Sequence, residues 1–188
     1  MAKNGAFNKM YLIVALVLLG LSSMAAAVDV AFFSNTVACS GLGTIRTGAS
    51  SRVCYYGNAG SIRFTGMNVC RSSIYYKGGV CSTTPGGGLS GNRCYIGGGF
   101  TSAYWYPSCR RRSLLDEATS NVTKCDFKTT GLVFTEDSAR GTWILKSSNA
   151  TQLMSQIENL TDEEKLSWFK AHGASFEDTP DTQNEPLN

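Results

Sequence analysis

Histidine is almost missing from this chain. His172 is the only one in 188 residues. Acidic residues are as scarce between Val28 and Arg112, where Asp29 stands alone. A glycosidase needs two carboxylates around its scissile bond. A Ser-His-Asp or Cys-His hydrolase needs an imidazole beside its nucleophile. Neither can be assembled from that stretch. No C-x-x-C pair, phosphate loop, dinucleotide-binding glycine pattern or metalloprotease helix occurs. "GGGF" and "PGGGL" are rich in glycine but lack the lysine and flanking elements of a nucleotide site. The expectation is a protein that is not an enzyme and carries no metal or cofactor. His172 is read as a helix-end residue, with capping favoured over catalysis.

Long apolar runs are missing too, apart from one at the start. Lys3 and Lys9 precede "YLIVALVLLGL" (Tyr11 to Leu21), and Ala25, Ala26 and Ala27 follow it. A positive start, a short apolar run and small residues describe a secretory signal peptide over residues 1–27, cut after Ala27. The run is too short for an ordinary membrane span. The expected localisation is therefore secreted and extracellular.

In that compartment cysteines are disulfide partners first. Cys39, Cys54, Cys70, Cys81, Cys94 and Cys109 fall within the basic stretch, and Cys125 is left over beyond it. Six cysteines allow more than a dozen complete pairings, and spacing does not choose among them. A native disulfide in a small secreted domain contributes about 2–5 kcal/mol.

Charge divides the chain in two. From Val28 to Arg112, nine basic residues (Arg46, Arg52, Arg63, Arg71, Lys77, Arg93, Arg110, Arg111 and Arg112) against one acid leave +8. From Ser113 onward, six basic residues against thirteen acids leave −7. The basic part also holds fifteen of the twenty glycines. "VDVAFF", "SRVCYYG", "SIRFTG", "SSIYYKGG", "NRCYIGGG" and "SAYWYP" are short β-branched and aromatic runs separated by turn signals, so residues 28–109 read as a compact antiparallel β-domain. Arg110-Arg111-Arg112 is a tribasic junction. It fits an exposed linker or a processing site.

Residues 113–173 read as an α+β extension. Lys128 to Ser148 fits two strands around a polar turn. Leu153, Ile157 and Leu160 share one helical face. Thr161 and Glu164 form a capping-box pattern opening a second helix with Leu166, Trp168 and Phe169, stopped by Gly173. Residues 174–188 are acidic, contain proline and are expected to be disordered. Asn121, Asn149 and Asn159 are N-glycosylation acceptors. Two fates fit the extension: an acidic pro-segment that shields the basic domain, or a permanent second domain that Cys125 crosslinks to the first.

Candidate surface-binding residues are Arg46, Arg52, Arg63, Arg71, Lys77 and Arg93, with Tyr104 and Tyr106. In a strand, Tyr104 and Tyr106 face one way and Trp105 the other. They form either a sugar-stacking or membrane-interface platform, or a core tryptophan with a tyrosine rim, which is the commoner arrangement.

"VAFFSNTVACSGL", "SIRFTGMNVCRSSIYYKGGVCS" and the closing "WYPSC" resemble the macadamia-type antimicrobial peptides of plants, over residues 31–109. Phe64-Thr65-Gly66, "GGVCS" from Gly78 to Ser82, and Phe33 ahead of Cys39 carry the likeness. The resemblance implies an all-β, Greek-key, βγ-crystallin-like sandwich of two four-stranded sheets with three disulfides, and growth inhibition of fungi and bacteria without catalysis. The chain departs from the family in having no early pair of closely spaced cysteines, and the crystallin-type calcium motif is absent.

The leading expectation is a secreted defence protein whose partner is an anionic microbial membrane or cell-wall polymer, with its own acidic extension as a second partner. No nucleic-acid partner is expected. A carbohydrate-binding lectin or cell-wall module is the alternative. An inhibitor of a secreted hydrolase is the third, on fold analogy alone.

Overall fold

The computed structural model describes residues 27–79, 81, 85–109, 124–136, 141–178 and 183–185. The apolar run, Arg110-Arg111-Arg112 and Asn121 lie outside the described residues. Among the described residues the protein is mostly β-sheet, with two short helices.

Eight strands come from the basic stretch: β1 (Asp29–Phe33), β2 (Gly41–Arg46), β3 (Val53–Ala59), β4 (Ser61–Thr65), β5 (Arg71–Lys77), β6 (Pro85–Ser90), β7 (Arg93–Tyr95) and β8 (Phe100–Pro107). They divide four and four, as β2-β1-β4-β7 and β6-β5-β8-β3. Six of them coincide with the aromatic runs of the sequence. The other two, β2 and β6, hold glycines that lower strand propensity. Pairing decides their state instead: β2 is hydrogen-bonded between β1 and β10, and β6 is an edge strand on which Pro85 costs no ladder bond.

The residues beyond the arginine run do not form a separate unit. β10 (Gly131–Thr135) and β11 (Gly141–Lys146) continue the first sheet, with β10 antiparallel to β2 from Gly131↔Ile45 to Thr135↔Gly41. β9 (Lys124–Asp126) adds to the second sheet beside β3, and backbone pairing places β13 (Gln183–Glu185) beside β7. The sheets therefore hold eight strands, β12-β11-β10-β2-β1-β4-β7-β13, and five, β6-β5-β8-β3-β9. The expected division at residues 110–112 is not a division of the fold, because the open edge of β2 is satisfied by β10.

Within the stretch expected to be disordered from residue 174, residues 175–178 form a strand, and residues 179–182 and 186–188 lie outside the described residues. β12 (Ser175–Asp178) pairs antiparallel with β11, and its Phe176 ring lies 5.1 Å from the Trp143 ring. Gly141 makes this contact fit, since a Cβ there would fall within the Phe176 ring. An acidic composition argues for disorder only where no sheet edge and no aromatic surface is offered.

One face of the eight-stranded sheet carries two covers. Val30, Phe32, Ile62, Phe64 and Tyr95 pack against Tyr55, Ala59, Phe100 and Ala103 of the small sheet. On the same face Leu42, Leu132 and Phe134 pack against α1 (Ala150–Ile157) and α2 (Asp162–Ala171), through Ala150, Ile157 and Phe169. The capping box forms as the sequence predicts: Thr161 accepts from the Glu164 N–H, and Glu164 accepts from the Thr161 N–H at 2.8 Å. The opposite face of the sheet buries Ala31, Phe33, Ile45, Val133 and Ile144.

Candidate functional site

The six cysteines of the basic stretch pair as Cys39–Cys94, Cys54–Cys81 and Cys70–Cys109. Cys125 is exposed and unpaired, so the crosslink imagined for it does not form. It nonetheless sits opposite Cys54 in the parallel β3–β9 register.

The candidate surface residues separate into three groups. Arg63, Tyr104 and Tyr106 are not surface residues: they are 5 %, 2 % and 2 % exposed. Arg63 projects from β4 into the opposite face of the large sheet, over the Phe33 ring at 4.9 Å, and donates to Thr135 Oγ1 at 3.3 Å and Thr142 Oγ1 at 2.8 Å. Burial lowers its pKa to about 10, so it stays charged at neutral pH; its Nε has no hydrogen-bond partner. Tyr104 stacks with Tyr76 at 6.0 Å and packs with Tyr106, Ile74 and Cys54 on the outer side of the small sheet. Burial raises the Tyr104 pKa. The sugar platform expected from these tyrosines is therefore closed. Trp105 is half-buried, packs against the core between the sheets and donates through Nε1 to the Ala49 carbonyl at 2.8 Å, while the tyrosines expected as its rim are the more deeply buried.

Arg46 and Lys77 stand apart from the others. Arg46 pairs with Asp126 at 3.4 Å and lies over Tyr55, while Lys77 lies over Phe100 at 4.8 Å.

Arg52, Arg71 and Arg93 are brought together at one end of the sandwich. Arg71 lies over the Trp105 ring at 5.2 Å, and the Arg52 N–H donates to the Trp105 carbonyl at 2.8 Å. Arg71 also donates through Nη1 to Gly66 O at 2.6 Å. Arg93 donates through Nε to Ser90 O at 3.0 Å, and Ser90 is the register partner of Ser72, next to Arg71. The turn between them is held by Asn68, whose carbonyl accepts from the Arg71 and Gly91 N–H groups. Its tip is Val69, 80 % exposed beside the Cys70–Cys109 bridge. Arg52 holds a left-handed backbone (φ 62°), a conformation that asparagine tolerates better than most side chains.

A second feature was not legible in the sequence. A cleft of about 330 Å³ opens at the seam between the two covers of the large sheet. Phe32 and Thr44 line it from that sheet, and Tyr56 and Asn58 from the end of β3. Phe127 and Thr129 contribute from the segment after β9, and Thr151 and Met154 from α1. Tyr56 and Phe127 are both exposed, with ring centroids 5.5 Å apart and planes tilted by 44°. They lie far apart in sequence, and only the parallel pairing of β9 with β3 joins them.

A smaller pocket of about 40 Å³ is lined by Arg63, Asp29, Thr142 and Glu177. Asp29 is raised above its usual pKa, first by burial and then by Glu177, against the opposing hydrogen bond from the Gly48 N–H.

Of the sequons, Asn149 and Asn159 are exposed and open to modification. His172 ends α2; its Nδ1 lies 2.8 Å from the Trp168 carbonyl and its ring stacks on Trp168. Among the described residues no group of three His, Cys, Asp or Glu side chains is placed to hold a metal. Among the described residues, no helix is long and apolar enough to cross a membrane.

The chain matches no protein-family profile, no curated protein and no solved structure.

Proposed function

We propose that this chain is a secreted, non-catalytic defence protein that engages anionic microbial surfaces with the end of the sandwich holding Arg52, Arg71 and Arg93. The observation that carries the reading is that Arg71 and Arg93 flank the turn held by Asn68, which carries the exposed Val69, with Arg52 bonded to the Trp105 over which Arg71 lies. Basic side chains at the same end as an exposed apolar one suit a surface with acidic headgroups and an apolar interior. Three disulfides are compatible with an extracellular site of action. The four-plus-four arrangement of β1 to β8 supports the finer reading of a βγ-crystallin-like sandwich of the macadamia type.

The test is sedimentation of the full chain with vesicles of phosphatidylglycerol and phosphatidylcholine, alongside a fungal growth assay at low salt. Arg52→Asn keeps the backbone strain low and Arg93→Gln keeps a donor near Ser90. Together they remove two charges worth about 1 kcal/mol each, so binding weakens roughly thirtyfold. Added salt weakens it further. Absence of binding at low salt, or a double variant that binds as the original does, overturns the reading.

A further inference from the structure

We infer that the cleft at the seam between the small sheet and α1 is a binding site for a neutral sugar, one or two rings of a wall polysaccharide or glycan. This goes beyond the electrostatic reading and does not use the same residues.

Size, charge and surface chemistry converge on that ligand class. At about 330 Å³ the cleft falls at the small end of the ~300–1,000 Å³ range of ligand pockets. None of the side chains lining it is charged. An anionic sugar, a phosphate or a metal would find no counter-charge there.

Its apolar part is mainly aromatic, with Met154 beside the rings. Single exposed apolar residues are ordinary on a protein surface. Here two rings, Tyr56 and Phe127, meet at the edge of one concave space, with Phe127 64 % exposed. A sugar ring presents a patch of C–H groups to such a face and a girdle of hydroxyls around it. The girdle requires neutral donors and acceptors in a ring about the aromatic floor. Asn58, Thr44, Thr129 and Thr151 supply them. Their side chains, and the Tyr56 hydroxyl, make no hydrogen bond to one another or to any other described residue. A purely apolar ligand would leave all of them unsatisfied, which costs free energy for each group buried.

The site is also built on rigid elements. Phe32 is 4 % exposed and fixed between β2 and β4, and its ring lies flat against the backbone of Gly57. Tyr56 and Asn58 sit where the β3–β8 pairing shifts register. Such irregularities re-aim side chains away from the regular pleat.

Asn149 begins the sequon that includes Thr151, so a glycan on it would stand beside the cleft. The experiment therefore uses full-length Asn149→Gln protein. Saturation-transfer NMR and titration are performed with cellobiose, N,N′-diacetylchitobiose and laminaribiose, with glucuronic acid as the charged comparison. At least one neutral disaccharide is expected to bind saturably, with the strongest transfer at its ring C–H protons, and glucuronic acid is not. Phe127→Ala weakens that binding about tenfold, the scale of one ring contact. Asn58→Ala does the same, with circular dichroism unchanged in both. High salt and the Arg52→Asn, Arg93→Gln pair leave sugar binding intact, so the two proposals fail separately. No binding of any neutral disaccharide at millimolar concentration overturns the inference, as does equal binding by the Phe127→Ala and Asn58→Ala proteins.

Discussion

Arg63 donates through Nη2 to Thr142 Oγ1 at 2.8 Å, joining a strand of the basic stretch to a strand beyond the arginine run. β4 and β11 are separated in their sheet by β1, β2 and β10. At ~4.8 Å per strand, a flat sheet would hold them roughly 19 Å apart. A side chain bridges them only because the sheet curls, with Arg63, Phe33 and the two threonines inside the curl. The positive charge is thus enclosed by a fold that requires both parts of the chain.

The consequence for stability depends on what replaces the arginine. Arg63→Met keeps the length and the contact with Phe33, and the Thr135–Thr142 hydroxyl pair at 2.9 Å remains partnered. Exchange of a buried charge for an apolar side chain of similar size is often neutral or stabilising, so this variant is expected within about 1 kcal/mol of the original. Arg63→Ala leaves a void and costs about 2–4 kcal/mol. Urea unfolding measures both; a methionine variant as unstable as the alanine one refutes the explanation.

Cleavage within residues 110–123 is expected to nick the protein without releasing the acidic part. β10 is zipped to β2 over its whole length, and Leu132 and Phe134 are buried against Leu42. A chain cut there by a site-specific protease should elute from gel filtration at its original mass and give two bands only in denaturant. A free acidic fragment in native buffer would restore the pro-segment idea.

Alkaline pH should unfold the protein cooperatively. Burial pushes Tyr95 up to about 12, and raises Tyr75, Tyr76 and Tyr104 as well. In the unfolded chain these phenols ionise near their ordinary pKa of about 10. Between pH 10 and 12 the folded state therefore holds more protons than the unfolded one, and stability falls as pH rises. Tyr95 alone accounts for about 2–3 kcal/mol by pH 12. Tyrosinate absorbance should rise in step with loss of β-sheet dichroism. Smooth titration of these tyrosines near pH 10 in the folded protein would contradict the burial seen here.

Gly57 tests the cleft from inside. A Cβ there would fall within the Phe32 ring. Gly57→Ala must displace that ring into the cleft or out of the core, at a cost of about 1–3 kcal/mol. The expected result is lowered stability together with loss of sugar binding, read by urea unfolding and by titration. Full binding by a destabilised Gly57→Ala protein would remove Phe32 from the floor of the site.

Much of the architecture was written locally. Short aromatic and β-branched runs such as Asp29–Phe33 and Arg71–Lys77 declare strands because their composition and the turn signals around them need no distant partner to be visible. The Thr161–Glu164 capping box likewise lies within one helical turn. The glycine-bearing β2 and β6 hid from that reading, since their state comes from the strands beside them. Tyr104 and Tyr106 are amphipathic by composition, and no local pattern says which side of a sheet is covered. The cleft was the least legible of all: Tyr56, Phe127 and Thr151 come from three separate segments, and nothing within any one of them marks a site.

What the sequence determined by itself is therefore its charge division, its cysteine supply, most of its strands and its shortage of catalytic groups. Tertiary structure alone decided the pairing of Cys39 with Cys94, the burial of Arg63, and the joining of the acidic strands to the basic ones. The physical reason is common to all three. A strand edge, a thiol or a guanidinium is satisfied by whichever partner the folded chain brings within a few ångströms, and that partner is set by pairing across the sheets rather than by neighbours in sequence.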